Sequence, residues 1–153
     1  MANTYHQVYL QTIFAVKYRK GMIQKEWKKE LCAVIGNLIN ETGCKTIIVN
    51  GVEDHIHCFL GLKPSLAISD VMKSVKAKSS KWLNESGKLT HRFSWQSGFG
   101  CFSYSHSHIN NVYQYIKNQE KHHEKLTFRD EYIKLLQNFE VDFNEEYIFT
   151  EFI

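Results

Sequence analysis

Proline occurs once and glycine eight times in 153 residues, which excludes a linker-rich or low-complexity chain. Long apolar runs are also missing. Stretches such as Ile13–Val16 and Ile47–Val49 stop far short of the roughly 18 residues that span a bilayer, so no membrane partner is expected. The opening residues, MANTYHQ, lack the charged start, apolar core and cleavage site of a secretory signal, and a cytoplasmic location is the expectation. Cysteine is confined to positions 32, 44, 58 and 101. No Cys-x-x-Cys pair or other short spacing is present, which argues against a disulfide framework or a cysteine-built zinc site; the thiols read as reduced and structural.

What is present is an ordinary globular balance, 43% hydrophobic and 23% charged, in a length that suits one domain over residues 1–153. The net charge of +3 hides an asymmetry. Residues 1–125 hold 17 Lys or Arg and 9 Asp or Glu, a net of +8, whereas residues 126–153 hold 2 and 7, a net of −5. A basic body favours a polyanionic partner such as nucleic acid, although an ordinary solvated surface gives the same count. The acidic C-terminal segment, about 140–153, interleaves carboxylates with aromatics.

Strand-like and helix-like segments alternate. Residues 5–17, rich in β-branched and aromatic side chains, read as a strand. Over 24–41, Trp27, Leu31, Val34, Ile35 and Leu38 recur at helical spacing, and Gly43 stops that helix. Residues 44–50 and 55–62 read as a hairpin. Val71, Met72, Val75, Trp82 and Leu83 predict a second helix over 68–86, with Ser65 or Ser69 as its cap. A strand over 101–105, one helix over 108–123 and a last helix from Thr127 follow, the last with Thr127 and Asp130 at capping-box spacing and Tyr132, Leu135, Leu136 and Phe139 as its apolar face. The order β-α-β-β-α-β, then α-α, is that of an α+β, ferredoxin-like split βαβ fold: an antiparallel sheet with helices on one face, plus C-terminal helices.

Two segments carry candidate chemistry. In VEDHIHCFLGL, residues 52–62, the period-two alternation of a strand turns His55 and His57 to one side and Ile56 and Cys58 to the other. Two imidazoles on one face are ready metal ligands, though hydrogen-bonded or exposed histidines would give the same pattern. In NVYQYIKNQEKHH, residues 111–123, helical angles put Val112, Tyr113 and Ile116 on the core stripe and Tyr115, Gln119 and His122 on a separate polar arc. That arc suits a site or a solvated helix edge. Glu120, His122 and His123 read as solvent-exposed.

Together with Tyr5-His6, Lys17-Tyr18-Arg19 and Phe102 to His106, these segments resemble the single-tyrosine transposases of the insertion-sequence 200/605 type, in the HUH class named for a histidine, a hydrophobic residue and a histidine. The resemblance implies that His55, His57 and Gln119 hold one divalent ion per active site, Mg or Mn, and that Tyr115 is the nucleophile. It implies cleavage and rejoining of single-stranded DNA through a 5′-phosphotyrosine, recognition of hairpin-bearing element ends, and a homodimer whose active sites are completed in trans. A bacterial or archaeal, nucleoid-associated location goes with it. Asp54 is a candidate for orienting a ligand or binding the metal weakly, or a plain turn aspartate. Lys17, Arg19 and Lys20 after the first strand, and Lys73, Lys76, Lys78 and Lys81 on the second helix, are DNA-binding candidates, although helical angles spread the last four too widely for one strand of DNA. A catalytically silent hairpin-binding module and a metal-dependent nuclease using water remain alternatives at this point.

Overall fold

A computed structural model describes residues 3–19 and 22–144. Lys20, the Arg19 side chain and the part of the acidic segment from 145 onward lie outside the described residues. The elements are β1 (Tyr9–Ala15), α1 (Lys25–Glu41), β2 (Lys45–Gly51), β3 (His55–Gly61), α2 (Ile68–Glu85), β4 (Gly100–Tyr104), α3 (Ile109–Lys117), α4 (Gln119–His122) and α5 (Phe128–Asn138), with 3-10 turns at Lys17–Arg19 and His106–His108. The four strands form one antiparallel sheet in the order β2-β3-β1-β4. This is the ferredoxin-like arrangement expected from the order of the segments.

Strand alternation divides the interior into two layers. Ile56, Cys58 and Leu60 of β3 and Phe14 of β1 join Trp27, Leu31, Ile35 and Ile39 of α1 and Val71, Met72, Val75 and Leu83 of α2 in the main core. Burying each such aliphatic side chain is worth about 1.5 to 3 kcal/mol, so this face anchors the sheet. The opposite face is covered by the C-terminal helices. Ile13, Ala15 and Phe102 pack on Phe128 and Leu136 of α5, and Phe59 packs on Val112 and Ile116 of α3. Six of the seven β3 residues are therefore buried, and His55 and His57 share the face of Phe59, beneath α3 to α5.

Three local expectations are corrected. Neither Ser65 nor Ser69 caps α2; Ala67 stands at the N-cap without a side-chain bond. The single helix expected over 108–123 is interrupted at Asn118 (φ −96°, ψ 22°). Just there, Nδ2 of Asn50 donates to the carbonyls of Ile116 and Lys117 at 3.0 and 3.2 Å, drawing both into bonds outside the helical ladder. Tyr113 does not join the core stripe: it is half-buried, while Tyr115 packs against the Phe59, Val112 and Ile116 cluster. The sheet meets α3 on the Tyr115 edge of its stripe. By contrast, Thr127 caps α5 as its spacing predicted, its hydroxyl accepting from the Asp130 amide at 3.2 Å. Among the described residues no helix is long and apolar enough to cross a membrane.

Candidate active site

The period-two pattern of β3 brings the two histidine rings side by side, with centroids 5.1 Å apart. Both are fully buried. Nδ1 of His55 lies 2.7 Å from Oδ1 of Asp54, and Nδ1 of His57 lies 2.7 Å from Oε1 of Gln11. Those acceptors keep a proton on each Nδ1 and leave each Nε2 to face the centre, the orientation that metal-binding histidines need. Gln11 reaches His57 because β1 pairs with β3 so that Gln11 sits opposite Phe59, a diagonal neighbour of His57 on the same face. The Gln11 amide in turn donates to the Tyr104 hydroxyl at 2.8 Å.

The Nε2 atoms of His55 and His57 converge on Oε1 of Glu131, at 3.3 and 3.1 Å. Oε1 of Gln119 lies 3.3 Å from Nε2 of His55. Bonds of about 2.0 to 2.2 Å to one cation, at right to tetrahedral angles, place neighbouring ligand atoms roughly 3.0 to 3.5 Å apart. The observed separations fall in that interval. Ligand atoms of His55, His57 and Glu131 all lie within 4.8 Å of one another, and imidazole nitrogens combined with carboxylate and amide oxygens suit divalent Mn, Fe, Zn or Mg. The residues fit a divalent cation.

Tyr115 stands at the same place. Its hydroxyl donates to Oε2 of Glu131, an oxygen that also accepts from Nε2 of Gln119 at 3.1 Å. The tyrosine ring lies 6.0 Å from that of His57 and stacks on His122 at 4.7 Å. Gln119, one turn after Tyr115, is fully buried. The break at Asn118 therefore keeps Tyr115 and Gln119 on one side, as their spacing predicts.

Charge is distributed unevenly around this centre. Burial holds the His57 imidazole down, at about 4, against the opposing hydrogen bond with Glu131. Burial also disfavours a charged His55, but hydrogen bonds with Asp54 and Glu131 outweigh it and raise its pKa above 6.5. For Glu131 burial pushes upward, and the imidazoles of His123, His55 and His57, which donate to it when they carry a proton on Nε2, overcome it, holding the carboxyl far below its usual range. Burial, reinforced by the Glu131 charge, pushes the Tyr115 phenol well above its ordinary value. Tyr115 is thus a neutral phenol at physiological pH, poised against a carboxylate.

His55, His57, Gln119, Tyr115 and Asp54 are brought together as their sequence positions suggested. The lysines of α2 are not: that helix lies on the other face of the sheet, where Lys73, Lys78 and Lys81 are exposed. Lys76 donates to the Gln96 and Gly98 carbonyls at 2.7 Å each, so its ammonium pins the loop before β4. Lys17 is exposed just past the β1 end that pairs with His55, its ammonium 5.4 Å from the Tyr18 ring centre. The expected exposure of three residues fails for two. His123 is half-buried, with Nδ1 on the Leu126 carbonyl at 2.7 Å and Nε2 on Glu131 at 3.0 Å; His122 covers Tyr115. Glu120 is exposed and pairs with Lys28 at 2.7 Å.

Sequence reasoning leaves out Glu131 and Gln11. Each carried a signal. Glu131 falls three residues after Phe128 and four before Leu135, inside the apolar stripe of α5, where an unpaired carboxylate is costly. Gln11 alternates with Ile13 and Ala15 on the inward face of β1.

Residues 4–119 match the family described as Transposase IS200-like. The ISDra2 transposase TnpA of Deinococcus radiodurans is 28% identical over 76 residues, 50% of this chain and 54% of the relative; the chain thus spans about half the length of that relative. The transposase of insertion sequence element IS200 from Salmonella typhimurium is 26% identical over 124 residues, 78% of this chain and 81% of the relative. Two solved structures share the fold. A Deinococcus radiodurans R1 protein described as a transposase superposes with TM-score 0.62 at 22% identity, covering 78% of this chain and 95% of that one. A REP-associated tyrosine transposase bound to a REP hairpin gives 0.59 at 13% identity, covering 82% and 74%.

Proposed function

Because the chain belongs to the IS200-like transposase family, we propose that it cleaves and rejoins single-stranded DNA, with Tyr115 attacking a phosphodiester and holding the cut end as a 5′-phosphotyrosine. The observation that carries this reading is the meeting of the Tyr115 hydroxyl and both histidine Nε2 atoms on one buried carboxylate. Nucleophile and cation ligands that share a partner stand within reach of the same phosphate. His55, His57, Gln119 and Glu131 would hold the cation, Mg or Mn. When bound, it would polarise the phosphate and offset its charge.

The chain's own residues do the rest. Asp54 and Gln11 hold the two imidazoles in the ligand tautomer, and His122 supports the Tyr115 ring. The covalent ester keeps the energy of the broken bond, so attack by another 3′ hydroxyl rejoins DNA without ATP. The substrate of this reading is single-stranded DNA with hairpins at element ends; the hairpin bound by the REP-associated relative supports it. Lys17 is the first phosphate contact to test, being at the site's end of the sheet. The reading includes a homodimer. In a single chain Tyr115 already faces its own chain's histidines, so completion in trans would need the segment carrying Tyr115 and Gln119 to exchange between subunits.

The test is denaturing electrophoresis of labelled single-stranded DNA from the flanking ends after incubation with protein and Mg or Mn. A covalent adduct is expected from wild type and Tyr113→Phe and not from Tyr115→Phe. Cleavage that survives Tyr115→Phe would show a water-using nuclease, and binding without an adduct a silent module.

A further inference from the structure

Glu131 lies beyond the stretch that matches the family, residues 4–119. Its two oxygens face different partners. Oε1 meets Nε2 of His55, His57 and His123 at 3.3, 3.1 and 3.0 Å. Oε2 accepts from the Tyr115 hydroxyl and from the Gln119 amide. Only 2% of Glu131 is exposed, and the helix that carries it is fixed on three sides. Thr127 caps α5, Phe128 stacks 3.9 Å from the His55 ring, and Tyr132 fills the space over Gly100, where a Cβ would come within 2.7 Å of it. A carboxylate buried this deeply persists only when its lone pairs are taken, and here both oxygens are engaged by groups of the reaction site.

We propose that Glu131 is a further catalytic residue, with Oε1 completing the donor set around the cation and Oε2 taking the proton of Tyr115 as the tyrosine attacks. The proposal rests on the tyrosine reading above. In the forward step the Tyr115 O–H bond breaks and its proton passes to Oε2, while the tyrosine oxygen bonds to phosphorus and the bond from phosphorus to the 3′ oxygen breaks. The departing 3′ oxygen takes a proton from water, and Glu131 releases its own to solvent. On rejoining, an incoming 3′ hydroxyl gives its proton to water and attacks phosphorus. Glu131 takes a proton back from solvent and passes it to the Tyr115 oxygen as the bond from phosphorus to that oxygen breaks and the tyrosine leaves. Geometry is the requirement for such a role, and the existing hydrogen bond meets it. His123, bonded to Oε1 and to the Leu126 carbonyl, is the positioning residue that keeps Oε2 turned toward the phenol.

The experiment compares wild type, Tyr115→Phe, Glu131→Gln and Glu131→Asp in single-turnover adduct formation at saturating Mn, alongside Mn binding followed by electron paramagnetic resonance. A positioned general base contributes about 100-fold to 10,000-fold, so Glu131→Gln is expected to slow the adduct by about 100-fold or more, and to bind Mn more weakly. Incorporating a fluorinated, more acidic tyrosine at position 115 is then expected to restore at least about tenfold in Glu131→Gln and to change wild type little. Should Glu131→Gln not fold, Glu131→Asp, whose shorter side chain retreats from the phenol, carries the same comparison. An unslowed adduct in Glu131→Gln overturns the proposal, as does a slow variant that fluorotyrosine fails to rescue, which marks a purely structural role. If wild type itself forms no adduct, or Tyr115→Phe still forms one, the tyrosine reading has failed, a result distinct from a failure of Glu131 alone.

Discussion

Replacing Gln11 with leucine tests whether the ligand tautomer of His57 is set from the sheet. The side chains have similar size, and Gln11 is fully buried, so the substitution removes hydrogen bonding with little change in packing. Two partners lose their bond: Nδ1 of His57, at 2.7 Å, and the Tyr104 hydroxyl, at 2.8 Å. Tyr104 is half-buried and can turn to water, so the main penalty falls on His57, about 1 to 3 kcal/mol for a buried donor left unpaired. At roughly 2 to 4 °C per kcal/mol for a domain of this size, the midpoint of thermal unfolding falls by about 2 to 12 °C. His57 has an escape. It can move its proton to Nε2 and donate to Glu131, which takes the lone pair away from the cation, and loss of such a supporting partner typically weakens metal binding about 10- to 100-fold. Mn titration of Gln11→Leu and Gln11→Glu measures this. The glutamate variant can still accept from His57 and from Tyr104, so its affinity is expected to stay near wild type. Wild-type affinity in the leucine variant would refute the argument that Gln11 sets the tautomer.

Two further outcomes follow from the same geometry. A Cβ at Gly51 would lie 2.2 Å from the His55 carbonyl oxygen and 2.8 Å from Cδ1 of Ile56, so Gly51→Ala is expected to destabilise the fold by roughly 1 to 3 kcal/mol in urea unfolding and to weaken Mn binding by displacing His55. Proton linkage is the second. His55 titrates above 6.5 in the metal-free protein, against burial, because Asp54 and Glu131 favour its charged form. Its contribution to stability in chelator is then fully present below about 6.5 and lost as pH rises through the higher folded value. Bound metal must displace that proton, so affinity rises with pH up to the folded value and then levels off; calorimetry in buffers of different ionisation heat is expected to report proton release below it.

The frame of the fold was legible because its signals are local. The β-branched and aromatic content of β1, the alternation in β3, the 3.6-residue stripes of α1 and α2 and the Thr127 cap each depend on neighbours in the chain, and the strand boundaries of β2, β3 and β4 shift from expectation by one residue at most. His55, His57, Tyr115 and Gln119 were legible in the same way, as pairs on one face of one element. Asn118 breaks the helix through carbonyls drawn to Asn50, a residue 68 positions earlier, and no local pattern contains that bond. Glu131 and Gln11 are the same kind of case. Their side chains interrupt apolar stripes, and only the packing of α5 and β1 against β3 gives them histidines to meet. The spread of the α2 lysines was visible from helical angles, but which sheet face α2 covers was not.

The centre described above draws on β1, β3 and α3 to α5, from Gln11 to Glu131. A ribosome makes those residues in order, and the chain can bury Ile56, Cys58 and Leu60 against α1 and α2 well before α5 exists. A chain not yet extended to α3 would carry its histidine pair with neither Tyr115 nor Glu131 above it. On the proposed mechanism such a chain could not cut nucleic acid, and the site would be complete only once synthesis has passed position 131.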